Sequence, residues 1–225
     1  MKKIDFDDYA DNYEKLTREN VNFFSSDDSY FARSKINLIR KYIKCKPARI
    51  LEYGAGVGRN LRFLMESFPD AEIWACDISE KSLQKINNDF PSIKTFLLDG
   101  RIDHATGVFD LVLIAGVYHH IEPANRDTVT AHVATIMGSH AELFVFEHNP
   151  YNPVTRRLVD RCPYDEDAVL LKPWELEEIL VGGGLDVRNT GYYLFFPPFL
   201  RLGKLEHGLS RIPLGGQYFV RATKG

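Results

Sequence analysis

The stretch "RILEYGAGVGRN", Arg49 to Asn60, decides how this chain folds. A short apolar run ends on the acid Glu52, and Gly54, Gly56 and Gly58 follow closely. An apolar run of that length, bounded by glycine, reads as a buried strand. Glycine tolerates positive φ and lets the backbone approach another group closely. Gly54 and Gly56 therefore predict a sharp turn that comes near a ligand. Gly58 falls at the start of the next helix, where a side chain would clash with ligand or strand. A tight strand-to-helix turn with no ligand would use the same residues, so the glycines need support from elsewhere.

Outward from this turn the chain alternates. Helix is expected over "GRNLRFLMESF", strand over "AEIWACD", and helix over "SEKSLQKINNDF", opened by Ser79 with Glu80 and Lys81 in its first turn. Strands follow at "KTFLL" and at "FDLVLIAG", the latter apolar enough to be buried on both faces. "PANRDTVTAHVATIM" reads as a helix with Pro123 near its start, "AELFVFE" as a strand, and "PWELEEILVGGG" as a helix closed by glycines. "LDVRNTGYYLFF" and "GGQYFVRAT" read as the last strands. Ahead of the turn, "DDYADNYEKLTREN" is polar and reads as helix, and "YFARSKINLIRKYIK" places Ile36, Ile39 and Ile43 at helical spacing. Alternating strands and helices predict a doubly wound α/β fold with a mostly parallel sheet covered on both faces.

The 225 residues are enough for a single domain, and 44% apolar with 26% charged residues can bury a sizeable core. A net charge of −3 provides no basic field to gather nucleic acid. Cys45, Cys76 and Cys162 are scattered, which argues against a disulfide framework or structural zinc and fits a reducing cytoplasm. "MKKIDFDDYADNYEK" lacks the apolar core of a signal peptide, and no window reaches about 18 consecutive apolar residues. The expectation is a cytoplasmic protein without a transmembrane segment.

Ligands of such sheets bind beyond the carboxyl ends of the strands, where strand order reverses. Asp77 closes the second strand about 20 residues after the glycines, where a carboxylate can accept from both ribose hydroxyls. Asp99 ends the third strand in "FLLDG" and can face the exocyclic amine of an adenine. Together with the glycines, these acids point to an adenosine-bearing cofactor. The nicotinamide fingerprint is G-x-G-x-x-G, with a helix N-terminus facing the pyrophosphate. Here the third glycine comes one residue early and Arg59 takes its place. Glu52 would repel a pyrophosphate but would suit a ligand with an amino group. S-adenosylmethionine has that group, a sulfonium and no phosphate.

"LEYGAGVGRN", "CDIS", "LLDG" and "FDLVLIAGVYHHI" resemble the successive motifs of class I S-adenosylmethionine-dependent methyltransferases. "FDDYADNYEKL", with Tyr13, resembles the tyrosine-bearing helix that closes over the cofactor in that superfamily. The resemblance runs from about Asp5 to the last strand. It implies a Rossmann-like sheet of seven strands, the last, "GGQYFVRAT", antiparallel to the rest. It implies that Glu52 and the loop of Gly54, Ala55, Gly56 and Gly58 hold the methionine moiety, Asp77 the ribose and Asp99 the adenine edge. Tyr53, Asn60, Ile78 and Gly100 flank these positions. Tyr53 stands where many relatives have a smaller residue, and can point into the sheet. The domain would span 1–225, with residues 1–45 as a helical cap and 148–172 and 192–215 as acceptor-side insertions.

Methyl transfer from a sulfonium is an in-line displacement, so the protein must align the acceptor, exclude water and help deprotonate a hydroxyl. Bases are therefore sought at the ends of the fourth and fifth strands. Tyr118, His119 and His120 stand at the first exit, and Glu147, His148 and Asn149 at the second, with Tyr118, Glu147 and Asn149 expected to bind the acceptor. Adjacent side chains should diverge, so one histidine of the pair faces the cofactor. In relatives the second position of this pair lies toward the acceptor, which favours His120 as base; His148, from the neighbouring fifth strand, is the second candidate and His119 the third. The remainder could simply cap the sheet. Asn152 resembles an N-cap with Pro153 after it, and the helix would carry Arg156, with Arg157 and Arg161 one turn apart. Those arginines are either a solvated face or a fork for an anionic acceptor. Two adjacent pairs, His119–His120 and Glu147–His148, cannot readily aim four ligands at one centre, so no metal is expected.

"EHNPYNP" and "CPYDEDAVLL" are similar to bacterial methyltransferases near envelope-saccharide or secondary-metabolite genes, which implies a substrate class for small-molecule biosynthesis. "YYLFFPPFLRLGKLEHGLSRIPLGG" is too aromatic for a solvated linker and is expected over the acceptor cavity or in a satellite cluster, with a dimer contact or a membrane-surface edge as lesser readings. The expected acceptor is a small molecule and not nucleic acid, because the fourth strand's exit lacks an Asn/Asp-Pro-Pro-aromatic motif. The chain would act as a monomer or homodimer. Competing readings are a nicotinamide-dependent dehydrogenase and a non-catalytic partner subunit on the same fold.

Overall fold

The computed structural model describes residues 29–44, 46–99, 108–200, 202 and 208–225. The helix expected over "DDYADNYEKLTREN", with Tyr13, lies outside these residues, as do Cys45 and Gly100. Within them, helix α1 (Ser29–Tyr42) precedes the turn and buries Ile36 and Ile39, while Ile43 lies just past its end. Then follow β1 (Arg49–Tyr53), α2 (Leu61–Ser67), β2 (Glu72–Asp77), α3 (Glu80–Asp89), β3 (Lys94–Leu97) and β4 (Phe109–Ala115). The second half contains α4 (Arg126–Ile136), β5 (Met137–His148), α5 (Pro153–Val159), α6 (Pro173–Gly182), β6 (Leu185–Tyr193) and β7 (Gln217–Lys224).

The strands form one seven-stranded sheet in the order β3-β2-β1-β4-β5-β7-β6. All pairs from β3 through β5 are parallel, and β7 is antiparallel to both neighbours, β5 and β6. This matches the expected Rossmann-like arrangement. The chain winds outward from β1 to β3, returns to the centre at β4 and continues the other way. Strand order therefore reverses between β1 and β4, and the ligand crevice of such a sheet opens at their carboxyl ends.

Alternate residues of the central strands face opposite layers, as strand geometry requires. Leu51, Val112, Ile114, Leu143 and Val145 pack with Val133 of α4 and with Leu176 and Leu180 of α6. Ile50, Leu111, Leu113, Phe144 and Phe146 pack with α1, α2 and α3 through Ile36, Ile39, Leu61, Leu64, Leu83 and Ile86. Both faces of β4 are thus covered, which is why its sequence is apolar without alternation.

Several boundaries differ from expectation; β6 ends at Tyr193, short of Phe196, and Pro123–Asn125 form a 3-10 turn ahead of α4. Helix α2 begins at Leu61 and not at Gly58, because Gly58 has φ +82°, which no right-handed helix accommodates. Strand β5 begins at Met137, four residues before "AELFVFE", and runs straight on from α4. Ser79 caps α3 as expected, its side chain accepting from Ser82 N.

Candidate functional site

The loop after β1 reaches the crevice in a conformation only glycine adopts cheaply. Gly54 has φ +71°, and a Cβ there would lie 2.5 Å from a methyl of Val117, the residue that follows β4. Gly56 has φ +52°, and a Cβ there would point into open space. The first glycine is thus required by packing between strand exits, and the second leaves room for a ligand. At Gly58 a Cβ would meet Leu61 and Ile86, so the crowding comes from helix side chains and not from strand or ligand.

Glu52 is buried at 1% exposure where β1 ends. Its Oε1 accepts from Asn60 Nδ2 at 2.6 Å, while its Oε2 is buried with no hydrogen-bond partner among the described residues. Burial pushes the Glu52 carboxyl up to about 7, against the pull of the Asn60 hydrogen bond and the Lys35 charge. An orphaned carboxylate oxygen beside an open glycine loop is the complement of a ligand ammonium, so these residues fit the amino-acid end of S-adenosylmethionine. Asp77 closes β2 and braces the loop, with Oδ2 accepting from Gly56 N at 2.7 Å and Oδ1 from Ser79 N at 2.9 Å. Ile78 is 54% exposed next to it, an apolar surface suited to a sugar or base. Asp99 is exposed just past β3. Tyr53 turns into the core beneath the sheet, as its position allowed.

At the exits of β4 and β5 a 3-10 turn, Tyr118–His120, follows the strand. Glu147 organises it. Its Oε1 accepts from Val117 N at 3.1 Å and Tyr118 N at 2.8 Å, and its Oε2 accepts from His119 Nδ1 at 2.5 Å. The segment carrying Asp165 and Asp167 is tied to the same turn: Val169 N donates to His119 O at 2.8 Å, and Arg126 bridges Ile121 O and Val169 O. His119 Nε2 and His120 Nε2 each lie 3.5 Å from Asp165 Oδ1, and His120 Nδ1 lies 3.1 Å from Asp167 Oδ1. The rings of His119 and His120 are 4.1 Å apart, and that of His148 is 5.1 Å from His119.

Burial opposes charge on His119, but the Glu147 and Asp165 carboxylates raise it to about 10. Asp165 is held down to about 2, its burial outweighed by the His119 hydrogen bond and the surrounding histidines. Burial and the His119 charge lower His120, and the same two causes push His148 down to about 4. Lys35 of α1 faces this region. Burial and nearby Arg59 lower it to about 8, and Glu52 and Glu147 pull it back up.

Several expected roles change here. The rings of His119 and His120 converge where divergence was expected, because the tight turn brings consecutive residues onto one side. His120, the favoured base, has both ring nitrogens near aspartates, whereas the ring of the half-buried His148 forms no hydrogen bond among the described residues. Tyr118 was expected at the acceptor. Its ring is fully buried, and its hydroxyl donates to Thr130 Oγ1 at 2.8 Å. Glu147 uses both oxygens on the turn. Asn149 is buried and holds a loop, donating to Pro213 O and Gly215 O. Helix α5 is capped by Asn152 as expected but ends at Val159, so Arg161 lies beyond it. Arg156 and Arg157 are exposed and form no ion pair among the described residues. Lys35, Asp165 and Asp167 were not anticipated. The acidic run "DED" after Pro163 was the available signal.

Residues 51–141 match the family described as "Methyltransferase domain". No curated protein sequence matches the chain. Among solved structures, the chain is similar to an S-adenosylmethionine-dependent methyltransferase from Archaeoglobus fulgidus, at 18% identity and TM-score 0.67, covering 95% of this chain and 100% of that one. It is similar to a TehB-like methyltransferase from Corynebacterium glutamicum, at 17% identity and TM-score 0.64, over 96% and 98% of the two chains. It is also similar to magnesium protoporphyrin IX methyltransferase from Synechocystis, crystallised with S-adenosylhomocysteine, at 14% identity and TM-score 0.65, over 97% of each chain. No helix among the described residues is long and apolar enough to cross a membrane.

Proposed function

We propose that this chain is a class I S-adenosylmethionine-dependent methyltransferase and that it methylates a hydroxyl of a small molecule bearing an anionic group. The observation that carries this reading is His148. It is a half-buried imidazole at the end of β5, uncommitted among the described residues and lowered to about 4 by burial and the His119 charge. It is therefore neutral near pH 7, the form from which a base acts, and a weaker base than a free imidazole.

The sulfonium leaves as a neutral thioether and needs no acid. A hydroxyl nucleophile, by contrast, gains from a base, worth about 10²–10⁴-fold in rate. In this reading Glu52 and the glycine loop hold the methionine end of the cofactor, with Asp77 and Asp99 on its nucleoside, while His148 takes the acceptor proton. Arg156 and Arg157 are the cations available to a phosphate or carboxylate on the acceptor. The acidic Glu52 beside the glycine loop disfavours a nicotinamide dinucleotide, whose pyrophosphate it would repel. The proposed acceptor is tested by supplying S-adenosylmethionine with hydroxyl-bearing phosphates, hydroxy acids and amines, and scoring S-adenosylhomocysteine by mass spectrometry. Turnover of amines alone, or a His148→Ala variant working at the wild-type rate, would overturn the hydroxyl reading.

A further inference from the structure

We propose that His119, His120 and Asp165 form a binding site for one divalent first-row transition-metal ion at the carboxyl end of β4. One donor atom from each of the three lies within 4.8 Å of the others. The two Nε2–Oδ1 separations to Asp165 are both 3.5 Å. Bonds of about 2.0–2.2 Å in a tetrahedral shell place neighbouring donors about 3.3–3.6 Å apart, so two of the three edges already have that length.

The surroundings support the same assignment. A metal-bound imidazole presents one nitrogen to the ion and donates from the other to a carboxylate or carbonyl, which fixes its orientation. Both histidines are arranged this way. His119 Nδ1 meets Glu147 Oε2 at 2.5 Å, and His120 Nδ1 meets Asp167 Oδ1 at 3.1 Å, leaving each Nε2 on the Asp165 side. Glu147 is itself anchored by two backbone N–H groups. Two imidazoles and one carboxylate suit zinc, iron or cobalt better than magnesium or calcium, which prefer all-oxygen shells. Three protein ligands leave room for water or an acceptor oxygen.

The test needs neither the acceptor nor turnover. Chelator-treated protein is titrated with Co²⁺ and Zn²⁺, following the visible Co²⁺ bands and the metal content per chain. One ion per chain is expected, with Zn²⁺ displacing Co²⁺. Asp165→Asn and His120→Gln should each weaken binding at least tenfold, and Glu147→Gln about 10–100-fold through the orientation of His119. S-adenosylhomocysteine affinity, which involves none of these residues, reports whether each variant is folded. Should one variant fail to fold, the other still reads the site. No Co²⁺ bound, or Co²⁺ affinity unchanged in folded Asp165→Asn and His120→Gln, would refute the site while leaving the His148 reading intact.

Discussion

Glu52 links cofactor binding to pH in a way that can be worked out from its surroundings. Its carboxyl titrates at about 7 in the free protein because burial opposes its charge. The ligand ammonium should be gripped by the ionised form, so below pH 7 binding must first remove a proton. Linkage then makes the apparent Kd about 25-fold weaker at pH 5.5 than at pH 7.5. The ligand's own amino group stays protonated over most of that range, since such amines titrate near 7.7–8.0. Glu52→Gln keeps an acceptor for Asn60 but removes the charge. A hydrogen bond to a charged group is worth about 1.5–3 kcal/mol, which corresponds to a loss of about 10- to 150-fold at pH 7.5. The variant should also lose the pH slope. Stability should move the other way. A folded pKa raised above the unfolded one stabilises fully below about 4.5, and that contribution is lost as pH rises through about 7. Glu52→Gln should therefore raise the melting temperature of the ligand-free protein at pH 7.5, by up to about 3 kcal/mol of stability. Calorimetric titration of S-adenosylhomocysteine across pH 5.5–7.5 checks the first part and differential scanning calorimetry the second. Equal affinities and parallel pH slopes in the two proteins would refute the reasoning.

Asp77→Ala should weaken S-adenosylhomocysteine by about 1–3 kcal/mol and lower the melting temperature, since Gly56 N and Ser79 N lose their acceptor; calorimetry showing wild-type affinity would remove Asp77 from the ribose. His148→Ala should cut kcat about 10²–10⁴-fold and leave cofactor affinity within about twofold, which separates base catalysis from collapse of the site. Replacing Arg156 or Arg157 by alanine should raise the acceptor KM by about 3- to 10-fold, as expected for an exposed charge-assisted contact, with cofactor Kd unmoved. Gly54→Ala should destabilise the fold by about 1–3 kcal/mol from its positive φ and the contact with Val117. Adding Val117→Ala should recover the steric share alone, and denaturant melts of the single and double variants measure both.

What could be read in advance followed from local pattern. The strands "RILEY" and "FDLVLIAG" announce themselves because both faces are buried, and Gly54 because its backbone favours glycine. The acceptor side was harder, because its arrangement depends on contacts between distant segments. Asp165 and Asp167 are held near the histidines by the bond from Val169 N to His119 O and the Arg126 bridge. Consecutive histidines diverge on an extended strand but not on the 3-10 turn that follows β4, and nothing in "GVYHHIEP" signals that turn. Tyr118 and Asn149 looked like acceptor ligands because both are polar residues at strand exits. Each in fact satisfies an internal partner. Lys35 was missed because only the isoleucine spacing of α1 was read.

The cofactor loop is held by bonds within the protein itself. Asp77 anchors Gly56, and the carbonyl of Cys76 receives the N–H groups of both Gly54 and Ala55 at 2.9 Å. A loop already frozen by its neighbouring strand has little entropy left to surrender and no slow closing step of its own. Association at this end of the crevice should then run at a rate set by encounter and orientation, so that substitutions around the loop register as shorter residence times of the bound nucleoside and not as slower capture.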